Sequence, residues 1–225
     1  MRLWYLMLAI GSFCTICTGT SLRAQNSGTL NIVQKPVVFN QKRRQLSLDY
    51  LQKRHGILKT QATIVPRMIV LHFTGSGTLS SNFNYFNKEE IEQARTVNKN
   101  QSILNVSAHY LVDRDGTVYQ LLPDTLFARH IIGLNYMAIG VENVGGPDAP
   151  LTEAQVKANA ALVRYLCTKH KIDYLIGHSE YAAFRNTALW KETNSKYYTG
   201  KADPGSEFMR KVRALVTDLK LKSKP

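Results

Sequence analysis

The chain has 225 residues and 44% of them are hydrophobic, so it is long enough to bury a core, and disorder is not the default expectation. Its formal net charge of +13 favours an anionic partner, such as a nucleic acid, a carboxylate-rich cell wall or an anionic membrane surface. A basic surface without a partner is the remaining alternative, and charge alone does not distinguish these classes.

The first 24 residues have the three-part pattern of a secretory signal peptide. Arg2 supplies the positive start, residues 3–16 are mainly apolar, and cleavage is predicted after Ala24. The apolar run is short and interrupted for a membrane span, with an uncleaved anchor as the alternative. We therefore predict an exported protein, periplasmic or in the cell envelope, with no transmembrane segment after signal removal. Loss of Arg2 and Arg23 lowers the net charge by two, from +13 to +11.

The cysteines predict neither a lipid anchor nor an intramolecular disulfide. Phe13 and Ile16 precede Cys14 and Cys17, at positions where a lipidation site requires a small residue. Both of these cysteines leave with the leader, so Cys167 remains alone and has no partner within the chain. Cys167 lies on the apolar face of a predicted helix, where we interpret it as a core residue.

Residues 25–65 form a polar, basic lead-in that is predicted to be partly helical, with a short helix over residues 46–55 that ends at Gly56. We assign residues 66–225 to one domain with an insertion at about residues 181–199. The sequence does not indicate a role for the lead-in. The insertion either shapes a binding groove or only extends the surface.

Within this domain, hydrophobic periodicity predicts alternating strands and helices. In chain order these are a strand at 68–73, a loop at 74–87, a helix at 88–97, a hairpin of strands 108–112 and 117–122, a strand at 137–144, a helix after Thr152, a strand at 174–176 and a helix at 206–219. Gln155, three residues after Thr152, makes a capping box possible. The alternation predicts the α/β class, as a single domain with a central mixed β-sheet flanked by helices.

Two histidines and one aspartate stand where a catalytic metal site is expected. His72 and His178 each follow an apolar strand and precede a loop of small polar residues, and Asp203 lies in a turn ahead of the last helix. Two imidazoles and one carboxylate suit a catalytic zinc ion with an open fourth position. A hydrogen-bonded structural histidine is the alternative for each strand end, because spacing alone does not bring the three together.

Two further charged residues are candidates for the chemistry. Glu142 interrupts an apolar strand, where a carboxylate is costly unless it is paired or lies near a metal. The alternative explanation for Glu142 is a structural ion pair with a lysine or an arginine. Lys201 precedes Asp203 by two residues, and an ordinary solvated lysine is the alternative there.

Six segments, in this order, resemble the zinc-dependent N-acetylmuramoyl-L-alanine amidases of the amidase-2 type, whose fold is shared by phage lysozyme-like amidases and animal peptidoglycan recognition proteins. They are residues 69–72, 105–112, 114–116, 139–143, 176–179 and 201–205, and the resemblance covers about residues 66–217. It implies a zinc site at one end of the sheet and hydrolysis of the amide between N-acetylmuramic acid and L-alanine.

The resemblance also implies residue roles. His72, His178 and Asp203 would bind Zn²⁺, Glu142 would be the catalytic glutamate, and Lys201 would be the catalytic lysine of the Lys-x-Asp-Pro-Gly turn. Asp203 places the chain with the branch of bacterial wall-recycling and periplasmic amidases. Other branches carry a tyrosine where this chain has Ala108, so Glu142 and Lys201 are expected to carry the chemistry.

Arg129, His130 and Asn135 precede the strand of Glu142, and we predict that they line the groove and bind substrate carboxylates or sugar oxygens. For Arg129 and His130, an equal alternative is that they lie at the surface of a loop and do not bind substrate. His109 is interpreted as a core histidine in preference to a groove residue.

The expected partners are peptidoglycan or muropeptides, without nucleic acid, and the protein is expected to be a monomer. A non-catalytic peptidoglycan-binding module of the same fold is the main alternative. A nucleic-acid-binding protein is disfavoured by the leader and by the scattered basic residues. Another metallohydrolase, such as a peptidase, stays open.

Overall fold

The computed structural model describes Met1 and residues 30–225, and the predicted signal peptide lies outside this described part. Its centre is a mixed six-stranded sheet in the order β1-β4-β3-β5-β2-β6. The strands are β1 (Ile32–Gln34), β2 (Met68–Phe73), β3 (Tyr110–Val112), β4 (Val118–Gln120), β5 (Ala138–Asn143) and β6 (Tyr174–Gly177). Only the β3–β4 hairpin pairs antiparallel, and the other neighbours are parallel. The predicted α/β class with a central mixed sheet is confirmed.

The helices are α1 (Gln41–His55), α2 (Leu79–Phe86), α3 (Thr96–Lys99), α4 (Glu153–Lys169) and α5 (Ser206–Leu215). In residues 30–225, 3-10 helices span Asn135–Met137, His178–Phe184 and Thr217–Leu219, so the last predicted helix is broken after Leu215. The capping box of α4 is confirmed, because Thr152 and Gln155 each accept a hydrogen bond from the backbone N–H of the other. Within residues 30–225, no helix combines the length and apolarity needed to cross a membrane.

The two faces of the sheet have different coverings. Helices α4 and α5 pack over the face that carries Ile69, Leu71 and Val141, and Cys167 packs against this core half-buried. Alternate residues of a strand point to opposite faces. His72 and Glu142 therefore point to the face opposite α4 and α5, which is covered by loops and by the 3-10 helix His178–Phe184.

Two of the predicted elements are wrong. The polar stretch predicted as a loop contains α2, since Thr78 and Ser81 form a capping box and the apolar side chains of Leu79, Phe83 and Phe86 pack on one core cluster. The predicted helix over residues 88–97 does not form, because Ile91 donates from its backbone N–H to the carbonyl of Ile103 and the segment runs extended beside residues 103–105. Cross-chain pairing there overrides local helix propensity.

The lead-in packs on the domain through both of its elements. Strand β1 pairs with β4 and forms the edge of the sheet. Helix α1 starts at the Asn40 cap, ends at Gly56 with φ of 63°, and begins five residues earlier than predicted. The buried Arg43 guanidinium donates to the carbonyls of Phe86 and Lys88, at 2.9 and 2.7 Å, where α2 ends. The bond to Phe86 satisfies a carbonyl that the end of α2 leaves unpaired, and the bond to Lys88 holds the segment that follows the helix.

Candidate metal centre

Two adjacent parallel strands bring the predicted histidines together. Strand β2 pairs with β6 so that Leu71 lies opposite Gly177. His72 and His178 directly follow these two residues, so both stand at the same edge of the sheet. A separation of 106 residues along the chain thus becomes a contact.

A turn ahead of α5 adds the carboxylate. The backbone N–H of Ser179 donates to the carbonyl of Asp203 at 2.8 Å, which ties the turn to the end of β6. The close approach requires Gly177, since a Cβ there would lie 2.9 Å from Cδ of Pro204.

The three candidate ligands converge through one atom each. His72 Nδ1 lies 2.9 Å from His178 Nδ1, and Asp203 Oδ2 lies 3.2 Å and 3.1 Å from these two nitrogens. A tetrahedron with bonds of about 2.0–2.1 Å has an edge of about 3.3 Å, so these separations fit ligands of one zinc-sized ion. All three residues are buried, and the donor set of two imidazoles and a carboxylate suits a catalytic metal.

The surroundings of His178 and Asp203 favour the protonation states in which these residues bind a metal ion. Burial and, to a smaller extent, the neighbouring His72 together lower the pKa of His178 to about 4. Burial alone would raise the pKa of Asp203, but hydrogen bonds from His178 and His72 outweigh it and hold this pKa well below its usual range. At neutral pH the site therefore offers a neutral imidazole and an ionised carboxylate, the forms that bind a cation.

Glu142 lies directly beside the centre. It is the register partner of His72 across β2 and β5, so both side chains leave the same face of the sheet. Burial raises the pKa of Glu142 to about 7, although the nearby His72 lowers it. Its Oε2 is buried and has no hydrogen-bond partner among the described residues. A carboxyl group with these properties is suited to exchange a proton with a ligand near the metal ligands.

A groove opens over this cluster. Lys201 is exposed at its edge. Other groove residues come from several separate parts of the chain and include Tyr50, Tyr85, Arg95, Asn98, Ser107, Arg129, His130, Ile131, Asn135, Tyr197 and Thr199. The sequence analysis missed Tyr50, Tyr85, Arg95 and Asn98. The lead-in had no assigned role, and the wrong prediction of a helix over residues 88–97 hid the position of Arg95.

The three predicted substrate-binding residues also lie in the groove, and each is tied to the protein. The His130 ring contacts the His72 ring edge-on, with centroids 5.2 Å apart. Asn135 Oδ1 accepts hydrogen bonds from the backbone N–H groups of His130 and Ile131, both at 2.8 Å. Arg129 is 3% exposed and donates to backbone carbonyls. Contact of these side chains with substrate stays a prediction.

His109 is a core histidine, as predicted. Its Nδ1 accepts from the backbone N–H of Gly140 at 3.0 Å, and its Nε2 donates to the carbonyl of Leu126 at 2.9 Å. The ring is fully buried, and burial lowers its pKa to about 4, so it is neutral at pH 7.

One side of the groove, which we call the side wall, consists of Tyr50, Asn98, Arg129 and Tyr197. The Tyr197 hydroxyl donates to Asn98 Oδ1 at 2.8 Å, and Arg129 Nη2 donates to the Asn98 carbonyl at the same distance. The Arg129 guanidinium lies 5.1 Å from the centre of the Tyr50 ring, within cation–π range. The side wall thus joins the lead-in helix, the α3 segment and the insertion.

The lead-in helix and the insertion hold each other directly. Arg54 forms an ion pair with Glu192, whose side chains are 12% and 0% exposed. The backbone N–H of Thr193 donates to the Arg54 carbonyl at 2.9 Å, and the Thr193 hydroxyl donates to the Lys53 carbonyl at 2.7 Å. The end of α1 is therefore part of the support of the side wall.

Replacing Arg54 by methionine is expected to lower the free energy of unfolding by about 3 kcal/mol, because Glu192 is left as a buried, unpaired charge. Urea denaturation of wild type and variant measures this change. The Arg54→Met/Glu192→Met double variant removes both charges and is expected to recover most of the loss. A single variant within about 1 kcal/mol of wild type, the value of an exposed pair, would show that this pair does not support the wall.

The sheet, the flanking helices and the His-His-Asp cluster are compatible with the predicted amidase-2 class. The sequence model of the Amidase_2 family, N-acetylmuramoyl-L-alanine amidase, matches residues 60–206. The chain belongs to this family.

Sequence relatives include viral and animal proteins. The chain is 33% identical over 98 residues to the endolysin of Escherichia phage T7, a match that covers 41% of this chain and 65% of the endolysin. It is 32% identical over 85 residues to mouse peptidoglycan recognition protein 3, covering 36% of this chain and 24% of that protein. The chain thus spans just under two thirds of the length of the phage relatives that it matches.

Two solved structures show the same fold. An AmpD crystal structure matches with a TM-score of 0.51 at 21% identity and covers 85% of this chain and 97% of its own. Bumblebee PGRP-SA matches with a TM-score of 0.50 at 15% identity and covers 87% and 99%. At these identities the similarity concerns the fold alone.

Proposed function

We propose that this protein is an exported, zinc-dependent N-acetylmuramoyl-L-alanine amidase that hydrolyses the amide between N-acetylmuramic acid and L-alanine in peptidoglycan or its fragments. The observation that carries the proposal is the convergence of His72, His178 and Asp203 on one point beside the unpartnered carboxyl oxygen of Glu142. Membership of the Amidase_2 family supports the reaction class.

Each residue is given a chemical task. His72, His178 and Asp203 would hold the zinc ion, which supplies Lewis-acid polarisation of the scissile carbonyl and makes a nearby water more acidic. Glu142 takes the proton of the attacking water and passes it to the leaving amine. Lys201 stabilises the negative oxygen of the tetrahedral intermediate with its fixed positive charge.

The groove supports a muropeptide as the ligand class. The half-buried Arg95 and the exposed Lys201 offer positive charge, and the nearly buried Tyr50, Arg129 and Tyr197 form the supporting side wall. Stem peptides carry carboxylates, which these cations complement. Arg129, His130 and Asn135 keep the proposed role of contacting carboxylates or sugar oxygens, and the proposed location is the periplasm or cell envelope.

The test is incubation of the purified protein with a defined muramyl peptide, with and without a zinc chelator, followed by mass spectrometry. Release of a peptide with a free L-alanine amine, abolished by the chelator and restored by added zinc, is the expected result. A shortened stem peptide would instead indicate a peptidase.

A binding module of the same fold is the second candidate, because one of the sequence relatives is a mouse peptidoglycan recognition protein. The presence of both a third ligand candidate, Asp203, and the buried carboxyl oxygen Oε2 of Glu142 favours the enzyme. Binding of the muramyl peptide without cleavage, by zinc-loaded protein, would favour the module.

A further inference from the structure

Behind the metal ligand His72 lies a second histidine, His130, which has no task in the proposed bond-breaking steps. His72 Nε2 is 3.1 Å from His130 Nδ1, and the rings are perpendicular. The other nitrogen of His130, Nε2, is 3.0 Å from the backbone carbonyl oxygen of Ala138. The two imidazoles therefore form a chain of hydrogen bonds from the metal centre to the backbone of β5.

The chemistry of these groups allows one arrangement of protons when His72 binds a metal. A carbonyl oxygen only accepts, so His130 Nε2 carries a hydrogen and donates it to Ala138. His72 binds a metal through an unprotonated Nδ1, so in the neutral ring its hydrogen lies on Nε2. That N–H then donates to His130 Nδ1, which must be the unprotonated nitrogen of a neutral ring.

The surroundings hold the His130 ring in the position that this chain of hydrogen bonds requires. Asn135 Oδ1 accepts from the backbone N–H groups of His130 and Ile131, which fixes the loop ahead of β5. Gly140 leaves the space that the ring fills, because a Cβ there would lie 2.6 Å from Cγ of His130. The ring is 8% exposed, so water has little access to replace it as a hydrogen-bond partner.

We infer that His130 is a positioning residue of the metal centre, which holds the hydrogen of His72 on Nε2 and so presents Nδ1 to the metal. Metal-binding histidines commonly donate their second N–H to a carboxylate or a carbonyl, and here a neutral imidazole takes that place. Asn135 acts one step further out, through the backbone of His130. This inference rests on the metal site of the proposed function.

The test measures zinc affinity, without substrate, by competition with a chelator. His130→Phe keeps a ring but removes the acceptor, and zinc affinity is expected to fall about 10–100-fold. His130→Asn restores an acceptor oxygen near the position of Nδ1 and is expected to recover part of the loss. The control is His55→Phe, a buried histidine at the end of α1 among aromatic rings, which is expected to keep wild-type affinity.

A second measurement does not depend on a variant that folds. Nitrogen-15 NMR of the zinc-loaded wild-type protein is expected to show His72 and His130 both protonated at Nε2. A His72 ring protonated at Nδ1, or a folded His130→Phe variant with unchanged zinc affinity, would overturn the inference and leave the metal site intact. Absence of zinc binding by wild type would overturn the metal site itself, and the role of His130 with it.

Discussion

Glu142→Gln is expected to lower kcat/KM for a muramyl peptide by about 10²–10⁴-fold while zinc affinity stays within about threefold of wild type. The amide has the size of the carboxylate but cannot take a proton from water at neutral pH. Glu142 is beside the ligand cluster and outside it, so the metal site is expected to survive the change. Steady-state kinetics and chelator competition on the same preparation measure the two quantities.

The matched control is Glu92→Gln, which makes the same chemical change at an exposed position outside the groove. Wild-type kinetics and zinc affinity are expected for it. If Glu142→Gln keeps more than about a tenth of wild-type kcat/KM, Glu142 is not the group that moves the proton. If the same variant also loses zinc, Glu142 belongs to the coordination of the metal.

Asp203→Ala is expected to weaken zinc binding by more than about 100-fold, beyond the loss of 10–100-fold that follows removal of an outer hydrogen-bond partner. The variant keeps both histidines but has no anionic ligand, and the turn that carries residue 203 stays tied to Ser179 through its backbone. Chelator competition gives the affinity, and circular dichroism checks that the variant is folded.

Thermal unfolding gives an independent readout of the same change. Removing zinc from wild type is expected to lower its melting temperature, because a metal that binds only the folded state stabilises that state. The chelator is expected to have no effect on Asp203→Ala. Asp148→Ala, an exposed aspartate outside the cluster, is the control and is expected to respond to the chelator like wild type.

Asp203→Ala also separates catalysis from recognition. If the groove binds the muramyl peptide independently of the metal, the variant is expected to bind it without cleaving it, which is the behaviour of the alternative binding module. Cleavage at the wild-type rate by zinc-free Asp203→Ala would contradict the proposed ligand set.

Local sequence patterns were sufficient for the elements that carry most of the fold. Strand β2 reads as a continuous apolar run, since a parallel strand at the centre of a sheet is buried on both faces. The start of helix α4 is marked by Thr152 and Gln155, which form a capping box. These two residues are only three positions apart, so the box depends on local sequence and not on tertiary contacts. The metal-ligand candidates were also visible, His72 and His178 as polar residues that follow apolar strands and Asp203 as a carboxylate in a turn ahead of a helix.

Local patterns failed where long-range packing decides the structure. Helix α2 is rich in serine and asparagine, and its apolar side chains become a helical face only when a core is present to cover them. Strand β1 has three residues and forms because β4 offers an unpaired edge. Neither the edge nor the core can be read from a window of neighbouring residues.

The sequence alone therefore predicted the α/β class, strands β2 to β6 and the ligand candidates, because residue types and strand periodicity are local properties, and its motifs resembled those of the family. The tertiary structure decided which atoms meet. It brought His130 Nδ1 within hydrogen-bond distance of His72 Nε2, and it paired Arg54 with Glu192, which is 138 residues away in the sequence. The direction of a ring and the partner of a buried charge depend on the packing of segments remote in sequence, and local pattern carries no information about that packing.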